Sequence, residues 1–304
     1  MPNSGLCATL ILGAALLLSA CQTTGEQLAA LDGDASAELA GLDGDASALK
    51  PAEVSEQPGG SAFVVLEPRK GITQKFALIK ARNPAANVLL FAGGHGVLKL
   101  TKNRSSRPGL GGLLGNFLIR SIDDFGSLDL NVVLVDAPSD QQSQIGMRGG
   151  FRNSAAHVKD VEGIIDFVRQ RTGLPVWLVG TSRGTESAAF ITIYSRSPVD
   201  GLILTSPMTV SNQSGRNIKG YELEKITAPV QIVYHQNDGC SVTPPSGARA
   251  IARSLPNAKV VEVKKFSGGG PAKSGPCNAK SAHGFFRIER SVVESIAAFI
   301  MANI

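Results

Sequence analysis

A serine flanked by glycines follows an apolar segment in the middle of the sequence. The apolar residues Val176–Val179 run directly into Gly-Thr-Ser-Arg-Gly at 180–184, a G-x-S-x-G pattern centred on Ser182. Where a strand turns sharply into a helix, such a serine sits on a strained bend, and small flanking residues avoid collisions. The N-terminal dipole of the following helix also favours a developing negative charge there. Ser182 is therefore the candidate nucleophile.

A serine hydroxyl becomes a useful nucleophile only beside a base. Of the four histidines, His283 alone lies beyond the last predicted strand. Asp238 lies in the turn after the strand at Val230–Tyr234, where it could orient that histidine. The chain order Ser182, Asp238, His283 leaves room for roughly one strand–helix unit between successive members. These three residues form the predicted catalytic triad.

A small-residue loop after another strand supplies candidate oxyanion donors. The strand at Val88–Phe91 leads into Ala-Gly-Gly-His-Gly at 92–96, whose backbone N–H groups could approach a ligand closely. An oxyanion hole needs two such donors. We expect one from the backbone of Arg183 and the other from Gly94 or His95. Taken alone, such a loop is more typical of a plain turn, and its position after this strand is what favours the functional interpretation.

Alternating strands and helices must position these residues. The predicted strands are short runs rich in Val, Ile and Leu, at Ala62–Leu66, Phe76–Ile79, Val88–Phe91, Val132–Val135, Val176–Val179, Leu202–Leu204, Val230–Tyr234 and Val260–Val263. Helical periodicity or position predicts helices at Ser154–Gln170, Arg183–Tyr194, Gly247–Ser254 and Phe285–Ile300. This alternation predicts an α/β fold, a mostly parallel eight-stranded sheet with helices on both faces. Ligands bind such sheets at the carboxyl ends of the strands.

Residues 61–304 resemble the α/β-hydrolase superfamily in strand order, in the turn at Ser182, and in the positions of Asp238, His283 and the glycine loop. The resemblance implies hydrolysis of an ester, thioester or amide through an acyl-enzyme, without a cofactor or a metal. A dienelactone-hydrolase type of site is disfavoured, because those enzymes carry cysteine where this chain has Ser182. Since 206–228 is a short excursion, no large cap domain is expected.

The sequence thus predicts a carboxylesterase-like serine hydrolase that cleaves a small acyl ester. Two alternatives remain. One is a serine peptidase or amidase on the same fold; the other is a non-catalytic binding lipoprotein that keeps the fold as a scaffold. The sequence carries no signal for an oligomeric state.

The N-terminus has the pattern of an exported protein. An apolar run at Leu6–Ala20 is too short for a stable membrane span and reads as a signal peptide, residues 1–20. Its end, Leu-Ser-Ala-Cys at 18–21, resembles the lipobox of bacterial lipoproteins, which implies a lipidated Cys21 and a membrane anchor. Gln22 is not the Asp that retains such proteins at the inner membrane, so we expect the outer membrane, facing the periplasm. The alternative is an ordinary secretory signal.

Residues 21–60 differ in composition from the rest. They hold eight acidic residues and one lysine, and they repeat LDGDASA at 31–37 and 42–48. Low hydrophobicity with net acidity predicts a disordered tether between the membrane and a domain at 61–304. Within that domain, Cys240 and Cys277 form an even pair in an exported chain and are a candidate disulfide. Two cysteines this far apart lack the close ligand pairs of a zinc site.

The predicted domain is strongly basic. The whole chain carries +5 and residues 21–60 carry −7, so 61–304 must carry +12. Two long segments after strands contribute cations on the side where a substrate would bind: Lys99, Lys102, Arg104, Arg107 and Arg120 in 97–131, and Arg148 and Arg152 in 139–153. This charge predicts an anionic substrate or partner, against the alternative of a solvated basic surface. No motif for nucleic-acid binding accompanies it, so nucleic acid is excluded as a partner.

Overall fold

The computed structural model describes residues 51–103, 107–211 and 217–304. The predicted signal peptide, Cys21, most of the predicted tether and Arg104 lie outside the described residues. Within the described part of the chain, no helix is both long enough and apolar enough to cross a membrane.

Strands and short helices alternate along the described residues. The strands are β1 (Glu53–Glu56), β2 (Ala62–Arg69), β3 (Ile72–Ile79), β4 (Ala86–Phe91), β5 (Leu100–Thr101), β6 (Gly109–Leu110), β7 (Leu130–Val135), β8 (Val176–Thr181), β9 (Gly201–Thr205), β10 (Val230–His235) and β11 (Val261–Phe266). The α-helices are α1 (Phe117–Arg120), α2 (Ile122–Gly126), α3 (Ala155–Thr172), α4 (Gly184–Tyr194), α5 (Ser246–Arg253) and α6 (Glu289–Met301). All eight predicted strands are confirmed.

Nine of these strands form one sheet, in the order β1-β2-β3-β7-β4-β8-β9-β10-β11. The pairs from β1 to β7 are antiparallel, and those from β7 to β11 are parallel. The ninth strand, β1, begins at Glu53, before residue 61 where the domain was predicted to start. It is a short edge strand with three exposed residues, and its two glutamates pair with Lys102 and Arg171. It therefore has no apolar run from which it could be predicted.

The central strands are apolar because helices cover both of their faces. Every residue of β4, β7 and β8 is buried. Successive side chains of a strand point to opposite faces, so along β4 Leu89 and Phe91 join the core beneath α3, α4 and α5. Val88 and Leu90 join the core beneath α1, α2 and α6. Two cores thus hold the sheet and fix the edge where its parallel strands end.

Local capping sets the helix ends. The Ser154 side chain accepts a hydrogen bond from the backbone N–H of His157 at the start of α3, and Gly173 ends that helix in a left-handed conformation. The prediction for the last helix was wrong at its start, because α6 begins at Glu289 rather than Phe285. Phe285 and Arg287 adopt left-handed conformations, with φ of 54° and 70°, which an α-helix cannot include. The segment before α6 is therefore a separate loop, and it carries His283.

Candidate active site

Ser182 occupies a tight turn between β8 and α4. Its φ of 53° lies in the left-handed region, which costs a non-glycine residue about 1–3 kcal/mol. The flanking glycines permit the turn: a Cβ on Gly180 would lie 2.5 Å from the carbonyl oxygen of Gly184, and one on Gly184 would lie 1.9 Å from that of Phe91. The backbone N–H of Ser182 donates to the carbonyl of Thr205 at 3.0 Å. The turn therefore holds the serine above the ends of neighbouring strands.

Asp238 and His283 form a buried pair. His283 Nδ1 lies 2.9 Å from Asp238 Oδ2, and because a carboxylate can only accept, the imidazole donates. The other carboxylate oxygen accepts the backbone N–H of Cys240 at 2.9 Å. Both side chains are nearly excluded from solvent. The pairing fixes the ring so that Nε2 is left to act as a base.

Thr243 completes this pair and was not predicted. Its hydroxyl donates to Asp238 Oδ2 at 3.0 Å and also lies 3.0 Å from His283 Nδ1. The side chain is buried, so the hydroxyl has no competing water. A threonine five residues after an aspartate has no sequence signature of its own, and only the folded loop reveals the contact.

Ser182 and His283 line the same small cavity. Its volume is about 60 Å³, and its walls are Gly93, Gly94, Asn116, Phe117, Thr181, Ser182, Cys277, Ala279, His283 and Gly284. The Ser182 hydroxyl makes no hydrogen bond with any described residue. In many hydrolases the serine–histidine contact tightens only when substrate binds. The cavity thus brings the predicted nucleophile and base to one surface, with Asp238 behind the histidine.

The glycine loop passes directly over the serine. A Cβ on Gly93 would lie 3.0 Å from the carbonyl oxygen of Thr181 and 3.1 Å from the Cβ of Ser182, closer than most side chains pack, so any other residue would have to displace one of these neighbours. Gly93 and Gly94 line the cavity, whereas His95 and Arg183 are not among its lining residues. The backbone N–H groups of Gly94, His95 and Arg183 donate to no acceptor in the described residues.

Asn116 adds a polar group that sequence reasoning missed. Its Oδ1 accepts the backbone N–H of Leu118 and caps α1, which leaves the amide nitrogen as a donor. That nitrogen lies 3.6 Å from the position a Cβ on Gly93 would take, beside Ser182. An asparagine that precedes a helix is usually only a cap, which explains why its sequence position gave no sign of the cavity.

Arg152 holds the glycine loop from inside the protein. Its guanidinium is buried and donates to the carbonyls of Ala92 at 2.9 Å and Gly94 at 3.3 Å. It also donates to Ser187 Oγ, which lies 3.0 Å from His157 Nε2. Burial lowers the pKa of Arg152 to about 10, so it stays charged at neutral pH. Because C=O and N–H oppose each other across a trans peptide, the N–H groups that follow these carbonyls point away from the guanidinium.

Four of the cations that the sequence assigned to an anion-attracting surface have structural partners. Arg152 is inside the protein, as described above. Arg120 pairs with Glu289 and donates to the carbonyls of Gly115 and Gly284, which fixes the loop of His283. Lys102 pairs with Glu53, and Arg107 pairs with Asp123. The interpretation as substrate-facing charges is therefore wrong for Arg152 and Arg120, which the fold uses internally. For Lys102 and Arg107, which stay exposed in surface ion pairs, it stays a prediction.

The predicted disulfide is confirmed. Cys240 and Cys277 are bonded, with Sγ atoms 2.08 Å apart. Cys240 is buried two residues after Asp238, whereas Cys277 is exposed and lines the cavity beside His283. The bond joins the loop of the acid to the loop of the histidine. Among the described residues, no group of three or more His, Cys, Asp or Glu side chains could hold a metal ion.

Comparisons with known proteins agree on the fold. A family model described as serine aminopeptidase, S33, matches residues 115–222. No curated protein sequence matches the chain. A carboxyl esterase from Bacillus coagulans has a TM-score of 0.53 at 14% identity, over 84% of this chain and 99% of that chain.

Two further structures are similar. A dienelactone hydrolase from Anabaena variabilis has a TM-score of 0.53 at 12% identity, over 85% of this chain and all of that chain. A lidless α/β serine hydrolase from Xanthomonas campestris has a TM-score of 0.50 at 13% identity, over 82% and 95% of the two chains. At these identities the likeness is one of fold. The chain has the α/β-hydrolase fold.

Proposed function

We propose that this protein is a serine hydrolase that cleaves small acyl esters through an acyl-enzyme on Ser182. The observation that carries the proposal is a left-handed serine that shares a cavity with His283, whose ring is fixed by Asp238. A strained backbone at a cavity, next to an oriented base, is the arrangement of an activated nucleophile. The family model and the hydrolase neighbours support the same reaction class.

The geometry supports a two-step mechanism. His283 Nε2 takes the proton of the Ser182 hydroxyl as Oγ attacks the ester carbonyl. The negative charge on the carbonyl oxygen faces the backbone N–H groups of Arg183 and of Gly94 or His95, which donate to no acceptor within the described part of the chain. His283 then gives its proton to the departing alcohol. A water molecule, activated by the same histidine, releases the acid and restores the serine.

The size of the cavity favours short acyl groups. Its volume of about 60 Å³ is several times the roughly 10–15 Å³ that one water molecule needs by the same measure, and far below the roughly 300–1,000 Å³ of pockets for larger ligands. An acetyl group fits such a space, whereas a long acyl chain would have to leave it. This supports a small acyl ester over a long-chain lipid as substrate.

The amide alternative has one specific support, which is the aminopeptidase description of the matching family model. That model matches 115–222, which holds Ser182 but neither Asp238 nor His283. The rates at which the protein hydrolyses an ester and an amide with the same acyl group distinguish an esterase from an amidase.

We infer further that the protein acts at the cell envelope, anchored through Cys21. The lipobox-like sequence at 18–21 is one support. The disulfide is a second and independent one, because disulfides persist in exported proteins and are rare in reducing compartments. An acidic tether after Cys21 would let the hydrolase extend from the membrane surface into the periplasm.

The nucleophile is tested by labelling with a fluorophosphonate probe. Wild type and the matched control Ser254→Ala, whose serine is exposed at the end of α5, should be labelled. Ser182→Ala should not be labelled and should lose about 10⁴-fold or more in kcat/KM on 4-nitrophenyl acetate. Wild type should prefer the acetate to the octanoate by at least about tenfold. A folded wild type that takes no label and cleaves neither ester nor amide would leave the scaffold alternative.

Thr243 is expected to matter for kcat rather than KM. Thr243→Val removes the hydroxyl that donates to Asp238 Oδ2 with little change in the shape of the side chain, so that this oxygen keeps only its contact with His283. We expect kcat on 4-nitrophenyl acetate to fall about tenfold with KM nearly unchanged, since Thr243 does not line the cavity. Thr243→Ser should restore most of the rate. Equal rates for wild type and Thr243→Val would show that the contact has no role in orienting the histidine.

The disulfide should stabilise the protein as well as the site. The bond closes a loop of 37 residues, for which chain entropy gives about 4 kcal/mol of stability. In denaturant titrations, the double variant Cys240→Ser/Cys277→Ser should lose a free energy of unfolding of about that size. Its kcat should fall, because the two loops are no longer tied. If the variant unfolded at the denaturant midpoint of the wild type and hydrolysed the ester with the kcat of the wild type, the bond would neither stabilise the protein nor support the site.

Anchoring at Cys21 is tested by metabolic labelling. In a Gram-negative host fed a palmitate analogue, wild type and the control Cys7→Ala should incorporate the lipid and sediment with the outer membrane. Cys21→Ala should not be labelled. An unlabelled wild type released into the soluble periplasm would indicate an ordinary secretory signal instead, and lipid incorporation by Cys21→Ala would show that the lipid is attached at another residue.

A further inference from the structure

Positive side chains surround the glycine loop beside Ser182. Arg152 donates to the carbonyls of Ala92 and Gly94, and Arg148 follows Met147, whose backbone N–H donates to the carbonyl of His95 at 3.0 Å. Burial lowers the pKa of the His95 imidazole, and the charges of Arg148, Arg152 and Lys99 lower it further. Arg148 also acts on Arg183, the residue that follows the proposed nucleophile. Arg152 is committed to the loop carbonyls. The side chains of Lys99, Arg148 and Arg183 reach the surface.

Arg183 stands out because its charge is not matched by a contact. Its side chain is half-buried, and it makes no hydrogen bond or ion pair with any described residue. Burial lowers the pKa of this guanidinium, and the charge of Arg148 lowers it further, while Glu186 acts in the opposite direction. A partly desolvated arginine beside another cation gains from an anion that it can bind.

The carboxylates that act on this cluster do not neutralise it. Asp136 is buried, and its two oxygens accept the backbone N–H groups of Leu98, Leu100 and Ala137. Glu186 is buried in α4 and lies near both Arg152 and Arg183. Two acids therefore face four cations, and the excess positive charge lies around the glycine loop and at Arg183, the residue after Ser182.

The shape of the site determines which part of a substrate would meet these charges. Neither Arg183 nor Arg148 is among the residues that line the cavity. With the acyl group in the cavity, as the proposed function has it, a group that contacts these arginines lies outside the cavity, on the leaving-group side of the ester.

We propose that Arg183, with Arg148 beside it, binds an anionic carboxylate or phosphate on the leaving group of the substrate. This inference rests on the proposed serine hydrolase function and names its substrate class: short acyl esters of an anionic alcohol. The guanidinium of Arg183 supplies the forked donor that matches either anion. Arg148 adds charge, with its own guanidinium held by the carbonyls of Gln144 and Ile145.

Three acetate esters with one acyl group test the proposal: 4-acetoxybenzoate, 4-acetoxyphenyl phosphate and the neutral methyl 4-acetoxybenzoate. The readout is the ratio of kcat/KM for each anionic ester to that for the neutral ester, compared among variants so that intrinsic reactivity cancels. We expect Arg183→Gln to lower the ratio about tenfold and Arg148→Gln to lower it less. High salt should lower it in wild type. The more affected anionic ester identifies which anion is recognised.

Lys80→Gln is the matched control. It removes one positive charge just after β3, whose antiparallel direction places Lys80 at the opposite edge of the sheet. Its ratio should equal that of wild type. An equal drop in Lys80→Gln would mean that only net charge matters, and would overturn the specific role of Arg183.

The outcomes separate this inference from the function on which it rests. If wild type cleaves the neutral ester and takes the fluorophosphonate label, but Arg183→Gln keeps the wild-type ratio, the anion site is wrong and the hydrolase stands. If no ester is cleaved and no label is taken, both fall. If Arg183→Gln is inactive on all esters, inhibition of the wild type decides. 4-Hydroxybenzoate should inhibit the wild type more strongly than methyl 4-hydroxybenzoate does, and its inhibition should be weaker in Arg148→Gln. Equal inhibition by both would overturn the proposal.

Discussion

The site depends on the close approach of two backbone segments, the end of β4 and the turn that carries Ser182. A Cβ on Gly184 would lie 1.9 Å from the carbonyl oxygen of Phe91, which excludes any side chain, and one on Gly93 would lie 3.1 Å from the Cβ of Ser182, which is a tight contact. This contact holds the serine in its left-handed conformation and places the glycine loop over it. A single steric constraint therefore positions both the proposed nucleophile and the donors that would stabilise its reaction.

Buried polar groups hold the remaining parts in place. Arg152 fixes the glycine loop through its carbonyls, and Arg120 fixes the loop of His283 in the same way. Thr243 and the Cys240–Cys277 bond tie that loop to Asp238. Each of these side chains, and the disulfide, joins two segments that are distant in sequence. Such cross-links are suited to a site built entirely on loops, because loops are otherwise the most mobile part of an α/β sheet.

The parts that could be predicted from the sequence are those with a local signal. The buried strands are continuous apolar runs, the turn at Ser182 has its glycines, and the cysteines that form the disulfide are an even pair. The parts that could not be predicted depend on partners far away in the chain. β1 is polar and forms only by pairing with β2, and Arg152 resembles a surface cation until the fold encloses it. Thr243 becomes a bridge only when the loops of Asp238 and His283 meet.

The central claim is that Ser182 carries an acyl group during turnover. Its most direct test is the pre-steady-state release of 4-nitrophenol from 4-nitrophenyl acetate, combined with the intact mass of acid-quenched protein. The account predicts a burst of about one nitrophenol per protein molecule and an added acetyl group on Ser182, both absent in Ser182→Ala. Turnover by wild type that persists in Ser182→Ala, or an acetyl group found on another residue, would contradict it.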